Sequence, residues 1–187
     1  MVAAAVLTKT LRFPVRIDDS KRLTSLQRAR AFEAILASAE VGVGIVCAEE
    51  IDRRNILQAS LLAMAQAIAD LRTSPELVLV DGPHAPAVIT PCWPIVHGDR
   101  RSVSISCASI VAKVVRDRLM AFYDELYPGY HFHRHQGYGT VLHAEALRAL
   151  GPSLLHRVSF APVAAAARPE PSLRTGGPYG LEVAAAA

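Results

Sequence analysis

Two aspartates stand where a chain could do phosphate chemistry. Asp81 follows the apolar run Leu77–Val80, and Asp99 closes His97-Gly98-Asp99 just after Trp93–Val96. Short continuous apolar runs read as strands buried on both faces, and ligands of α/β sheets gather beyond the carboxyl ends of such strands. Two carboxylates there could hold Mg²⁺ or Mn²⁺, which take hard oxygen ligands and keep positions open for water. On spacing alone the plainer reading is favoured, with Asp81 opening an Asp-Gly-Pro turn and Asp99 capping a loop.

Other groups carry weaker signals. His131, His133 and His135 alternate, so a strand would put them on one face as a transition-metal site, but Pro128-Gly129 and Gly137 flank them as a loop. Lys113 and Asp117 are spaced for an ion pair along a helix, which leaves Asp117 structural. Arg100, Arg101, Lys113, Arg116 and Arg118 form a basic stretch, offset by Asp99 and Asp117, that suits a solvated face or phosphates. Tyr138, in Gly137-Tyr-Gly-Thr140, sets an aromatic ring beside a helix start, where it could stack on a sugar or base.

The elements that must position these residues alternate between strand and helix. Val2–Leu7 and Val41–Cys47 read as strands, and Thr24 or Ser25 caps a helix to about Ala39. Glu49–Asp52 reads as a short helical turn, and Asn55 caps a helix ending near Leu71. From about Ser104 a long helix carries Ala108, Ala112, Val115, Leu119, Phe122 and Leu126 as an apolar stripe, stopped by Pro128-Gly129. Thr140 caps a further helix to Leu150, which Gly151-Pro152 ends. The alternation predicts an α/β domain over residues 1–163, and the Ala/Pro-rich stretch 164–187 reads as a disordered tail.

Composition narrows the class. The chain has 187 residues, 51% hydrophobic and 20% charged, with a net charge of +3, which is enough apolar material for a core. The near-neutral balance neither demands nor excludes a nucleic-acid partner, because a local patch matters more than the total. No apolar run reaches the ~18 residues a bilayer span needs, and no basic region precedes the apolar start, so neither a membrane nor a signal peptide is expected. Three widely spaced cysteines, Cys47, Cys92 and Cys107, speak against a disulfide scaffold and for a reducing, cytoplasmic setting.

Several ordered blocks together resemble ribonuclease HII. They are Asp19-Ser-Lys-Arg-Leu23, Ile51-Asp-Arg-Arg-Asn-Ile-Leu57, Val78-Leu-Val-Asp-Gly82, Gly98-Asp99 and Ser106-Cys-Ala-Ser-Ile-Val-Ala-Lys-Val114 with Arg116-Asp117. Gln136-Gly-Tyr-Gly-Thr140, His143 and His156-Arg-Val-Ser-Phe160 continue the series, so the likeness spans about residues 2–163. The resemblance implies a ribonuclease H-like fold with a mixed central sheet flanked by helices. It implies endonucleolytic hydrolysis of RNA in RNA–DNA hybrids, and of ribonucleotides embedded in duplex DNA, at a two-metal carboxylate site using Mn²⁺ or Mg²⁺. Asp81 and Asp99 match the third and fourth metal ligands of that family. Tyr138 matches the tyrosine that packs on the sugar at the RNA–DNA junction. Lys21, within the first block, is the favoured candidate for a backbone contact, ahead of Lys113, Arg100 and Arg101. A monomer is expected.

The sequence also departs from the family. The Asp-Glu-x-Gly-Arg-Gly segment, which in the family precedes the Val-Ala-Ala-Ala-Val strand and supplies the other two ligands, does not occur in these residues. His97 and Gln136 stand where Lys is usual, and Cys107 replaces a small residue. The expectation is a fold without its first strand and a chain impaired as written. The favoured explanation is a start placed downstream of the true one, and the alternative function is a non-catalytic hybrid-binding remnant.

Overall fold

The computed structural model describes residues 1–167, and the remainder of the expected tail, 168–187, lies outside the described residues. Strand β1 (Val2–Thr8) pairs antiparallel along its whole length with β2 (Ala39–Ile45), from Val2 opposite Ile45 to Thr8 opposite Ala39. Helix α1 (Ser25–Ser38) lies between them in sequence. Of the two caps the sequence offers, Thr24 is the one used: its hydroxyl accepts from the Gln27 amide, and the Gln27 side chain accepts from the Thr24 amide. Helices α2 (Ala48–Arg54) and α3 (Ile56–Ala69) meet at Asn55, where φ is 73°. The Asn55 side chain accepts from the Leu57 and Gln58 amides, so the expected cap is present.

Strands β3 (Val78–Asp81) and β4 (Cys92–Ile95) are parallel, and a single 3-10 turn (Gly98–Arg100) leads into α4 (Val103–Leu126). Short α5 (Phe132–His135), α6 (Val141–Leu150) and α7 (Ala161–Ala167) follow. Helix α7 therefore runs past the boundary that composition places at residue 163.

The β1–β2 pair is covered on both faces. Ala4 and Val6 of β1, with Val41 and Val43 of β2, pack on a core of Phe32, Ile35, Cys107, Ile110 and Val111 from α1 and α4. Ala3 turns to the opposite side, against Val46, Ile51, Ala59 and Ala63. Side chains thus alternate between two cores, as the twofold period of a strand requires. On the second side α3 comes very close. A Cβ at Gly44 would lie 1.9 Å from the Ala63 carbonyl oxygen, and one at Gly42 would lie 2.1 Å from that of Ala67. Ala59, Ala63 and Ala67 are fully buried there, so small residues on both elements set the spacing.

The apolar stripe expected on the long helix is corrected. The buried residues of α4 are Ile105, Ser106, Cys107, Ile110 and Val111, whereas Phe122 and Leu126 are exposed. The helix packs on more than one neighbour near its start, so no single stripe describes it, and its far end runs beyond the core. Burial pushes the Cys107 thiol up to about 11, in keeping with packed core.

The fold class is α/β, but the described strands form two sheets, β1–β2 and β3–β4. A cavity of about 640 Å³ lies between β1 and β3, walled also by α3 and α4. One edge of each strand has no strand partner among the described residues.

Candidate active site

Asp81 is the last residue of β3 and is exposed. It sits within the strand, opposite Ile95, rather than after it. Its Oδ1 accepts the Gly98 amide at 2.8 Å, which draws the start of the Gly98–Arg100 turn to the end of β3. Asp99 is the next residue, so the structure does bring the two aspartates into one place. Gly98 is buried, and a Cβ there would meet the Ile105 Cδ1 at 2.5 Å, so a glycine suits the close approach. The turn is tied from behind as well. The Ser106 hydroxyl is 2.8 Å from the Asp99 carbonyl and 2.9 Å from that of Ser102.

A polar cluster adjoins this turn. Asp19, 2% exposed, accepts from the Lys21 amide at 2.9 Å and from Arg100 Nε at 3.3 Å. The Lys21 amide holds the Asp19 carboxyl below the usual carboxylate range, burial opposes it, and Arg100 adds to the lowering. Ser20 Oγ meets Ser109 Oγ on α4 at 2.9 Å. Lys21 itself is exposed, makes no ion pair among the described residues, and shares the Asp19 carboxylate with Arg100 through its backbone amide. Sequence reasoning took this block as a basic contact and missed that its aspartate is the buried anchor. The signal was an acid directly before Ser-Lys-Arg.

Tyr138 projects over a second cationic group. Its ring centroid is 5.0 Å from the Arg116 guanidinium carbon and 5.4 Å from Lys113 Nζ. Lys113 pairs with Asp117 at 2.7 Å, as the helical spacing predicts. Arg116 donates to the Gln136 carbonyl at 2.6 Å, while its Nη1 is buried with no partner. Lys113, Arg116 and Asp81 all line the cavity between β1 and β3, so the aspartate end and the tyrosine end border one space.

The alternating histidines do not share a face. Residues 132–135 form a turn of helix, so His131 is its cap with φ 59°, His133 contacts Asp124 at the surface, and His135 is buried. His135 instead joins His143 and His156, two residues to which sequence spacing assigned no chemistry. His135 and His143 stack with centroids 4.3 Å apart, and His143 Nε2 is 2.9 Å from His156 Nε2. The partners assign the protons. The Gly137 amide donates to His135 Nδ1, so His135 Nε2–H donates to the Tyr130 carbonyl at 2.8 Å. The Ser153 amide donates to His156 Nδ1, so His156 Nε2–H donates to His143 Nε2. His143 Nδ1–H then donates to the Tyr138 carbonyl at 3.0 Å. Every ring nitrogen of the three has a hydrogen-bond partner.

This set has a pH signature. Burial, then the His143 neighbour, lowers His156 to about 4, and burial lowers His135 as well. An exposed imidazole titrates near ~6.5. Between those values the unfolded chain binds protons that the folded chain refuses, so stability is complete above ~6.5 and is lost as pH falls toward about 4. Urea unfolding at pH 5 is expected to give about 1 kcal/mol less stability than at pH 7. The lowered aspartates, such as Asp18 and Asp19, start from 3.8 and act mainly below this window, while the lowered Glu40 and Glu50 start from 4.5 and reach into its acid edge. Equal midpoints at the two pH values would rule out the lowered pKa of His135 and His156.

The two carboxylates suit a divalent ion bound by one or two acids with the remaining positions left to water and substrate phosphate. No group of three or more His, Cys, Asp or Glu that could hold a metal occurs among the described residues. No helix among them is long and apolar enough to cross a membrane.

Comparison with known proteins adds the following. A family model described as Ribonuclease HII matches residues 1–163. The Ribonuclease HII of Rhizorhabdus wittichii is 52% identical over 164 residues, covering 88% of this chain and 81% of that protein. The structure of the ribonuclease H2 from Pyrococcus horikoshii aligns with a TM-score of 0.71 at 20% identity, over 89% of this chain and 97% of that one. A structure of Bst-RNase HIII in complex with Mn²⁺ aligns with a TM-score of 0.56 at 18% identity, over 80% and 57%. At these identities the two structures show the fold alone.

Proposed function

The chain belongs to the ribonuclease HII family, metal-dependent endonucleases that hydrolyse RNA in RNA–DNA hybrids, and from that premise we propose that Asp81 and Asp99 form the metal-holding half of its site. The observation that supports the reading is the Asp81–Gly98 hydrogen bond, which brings the residue before Asp99 to the end of a parallel strand. The ion these residues would hold is Mn²⁺ or Mg²⁺, and when bound it offsets phosphodiester charge and eases departure of the 3′-oxygen. The chain's own work is to concentrate negative charge at one point and basic charge around it. The Lys21 amide and the Arg100 side chain both bond the Asp19 carboxylate, and the basic side chains of these two residues suit contacts to phosphates of the duplex. Tyr138, its ring over Arg116 and Lys113, supplies a face for the sugar at the RNA–DNA junction. The 2′-hydroxyl is what distinguishes RNA from DNA there, so the residues around Tyr138 must sense it. In the overall step water adds to phosphorus and the bond to the 3′-oxygen breaks, leaving a 3′-hydroxyl and a 5′-phosphate.

The cavity between β1 and β3 belongs to the same reading. It has the free edges of two strands along its sides and Asp81 on its wall, which suits one more extended strand. We assign it to a strand of the Asp-Glu-x-Gly-Arg-Gly kind, whose acids would complete the site beside Asp81. With the cavity unfilled, the 187-residue chain is expected to bind hybrid duplexes and to cut them slowly. We place it in the cytoplasm, its three cysteines being free thiols.

The test is a DNA duplex holding a single ribonucleotide, offered with Mn²⁺ to this chain and to one with such a strand joined ahead of Met1. The extended chain is expected to cut at the ribonucleotide and to leave the all-DNA duplex whole. Replacing Tyr138 by Ala is expected to weaken binding of the ribonucleotide duplex about tenfold while leaving the all-DNA duplex unaffected. Equal handling of the two duplexes by the extended chain would overturn the reading.

A further inference from the structure

The buried histidines sit behind the loop that carries Tyr138, and nothing in the catalytic reading uses them. The loop is unusual in its backbone: Gln136 has φ 44° and Gly137 has φ 75°. Local bonds, from the Gln136 amide to the Phe132 carbonyl and from the Thr140 amide to the Tyr138 carbonyl, hold part of it, and such a conformation draws further support from what lies beneath. Beneath it lie the three imidazoles. The His135 ring takes the Gly137 amide, the His135 carbonyl takes the Tyr138 amide at 2.8 Å, and His143 Nδ1 donates to the Tyr138 carbonyl. His143 is in turn held by His156, which Ser153 holds through its amide at 3.0 Å. The chain of bonds therefore runs from residue 153 to the backbone of Tyr138 without a gap. Phe132 closes it from the side, with its ring 6.1 Å from His143 and 5.6 Å from His156.

We propose that His143 is a positioning residue for Tyr138: through its Nδ1–H bond to the Tyr138 carbonyl, backed by His156, it fixes the ring over Arg116 and so sets discrimination between ribonucleotide and deoxyribonucleotide. The inference rests on the reading of Tyr138 as the sugar-facing residue and extends it to a residue that never touches the substrate. His143 is 8% exposed and faces the protein interior, so it acts only through the loop. The geometry also separates its two nitrogens. Nδ1 serves Tyr138 and Nε2 serves His156, so substitutions that keep one and lose the other are informative. An Asn amide nitrogen lies near the place of Nδ1, and a Gln amide nitrogen near that of Nε2.

The experiment uses the full 187-residue chain and two probes, a DNA duplex with one ribonucleotide and its all-DNA counterpart, with the ratio of their dissociation constants as readout. Nuclear magnetic resonance contacts between the Tyr138 ring and the Arg116 side chain give a second readout that needs no nucleic acid. His143→Asn is expected to keep the ring contact and most of the ratio. His143→Gln is expected to lose the contact and to lower the ratio about tenfold, to that of Tyr138→Ala. The double variant His143→Gln, Tyr138→Ala is expected to fall no further, because the two residues act through one ring. A merely structural histidine would lower the unfolding midpoint of both variants alike and leave the ratio untouched, and that result overturns the proposal. So would Asn and Gln variants that behave the same. If Tyr138→Ala itself leaves the ratio unchanged, the substrate reading of Tyr138 fails, and with it the discrimination role. The ring contact then still reports whether His143 clamps the loop.

Discussion

In the strand-extended chain, Asp81→Asn is expected to lower the single-turnover cleavage rate by about three orders of magnitude or more. Asn is nearly the same shape, and its Oδ1 can still accept the Gly98 amide, so the turn that carries Asp99 stays where it is. What changes is charge. A phosphodiester is an anion, and the carboxylates must draw a cation to the end of β3 before that anion can settle there. Asp81 is exposed at the strand end, where an ion and water can reach it. Removing one of two neighbouring negative charges therefore weakens cation binding and leaves duplex binding through Lys21, Arg100 and Tyr138 largely in place. The measurements are the cleavage rate, the Mn²⁺ dependence of that rate and the unfolding midpoint. An unchanged rate would remove Asp81 from the site. A lost rate with a lost fold would instead make Asp81 a structural anchor of the turn, and Asp99→Asn would then decide which carboxylate matters.

The largest effect on stability is expected at Gly44. Replacing it by Ala sets a methyl group 1.9 Å from the Ala63 carbonyl oxygen and 2.8 Å from the Ala67 amide nitrogen. Both are backbone atoms of α3, so no side chain can rotate away, and the helix must lift from the sheet. Lifting it opens the core of Val46, Ile51, Ala59 and Ala63 and the wall of the cavity that α3 supplies. The expected loss is about 3 kcal/mol, at the upper end for overpacking, read as a shifted midpoint in urea. Gly42→Ala is expected to follow, since its methyl would meet the Ala67 carbonyl oxygen at 2.1 Å. Gly139→Ala is the control: a Cβ there has nothing within 4 Å, and little change is expected. Equal stabilities for Gly44→Ala and Gly139→Ala would mean that α3 does not approach β2 so closely.

The residues by themselves determined the local elements and the ends of most of them. Thr24 with Gln27, Asn55 and Thr140 begin the helices where their side chains can take up free amides, a matter settled within three or four residues. Apolar runs located β3 and β4, and with them Asp81 and Asp99, although the double-sided burial such runs suggest is not met: Val80 alone of the two strands is buried and Trp93 is exposed. The ordered motifs, read as a resemblance, reached the family.

Only the tertiary structure decided the rest. It turned Asp19 into a buried anchor and His135, His143 and His156 into one hydrogen-bonded network. It set the buried face of α4 and held two sheets apart around a cavity. The reason is distance along the chain. Periodicity reports on residues a few positions apart, whereas Asp19 meets Arg100 and Ser20 meets Ser109 across the whole fold. A polar residue reads as exposed until its partner is known. The strand reading of residues 41–47 says nothing of why Gly42 and Gly44 are bare; the helix laid against them does.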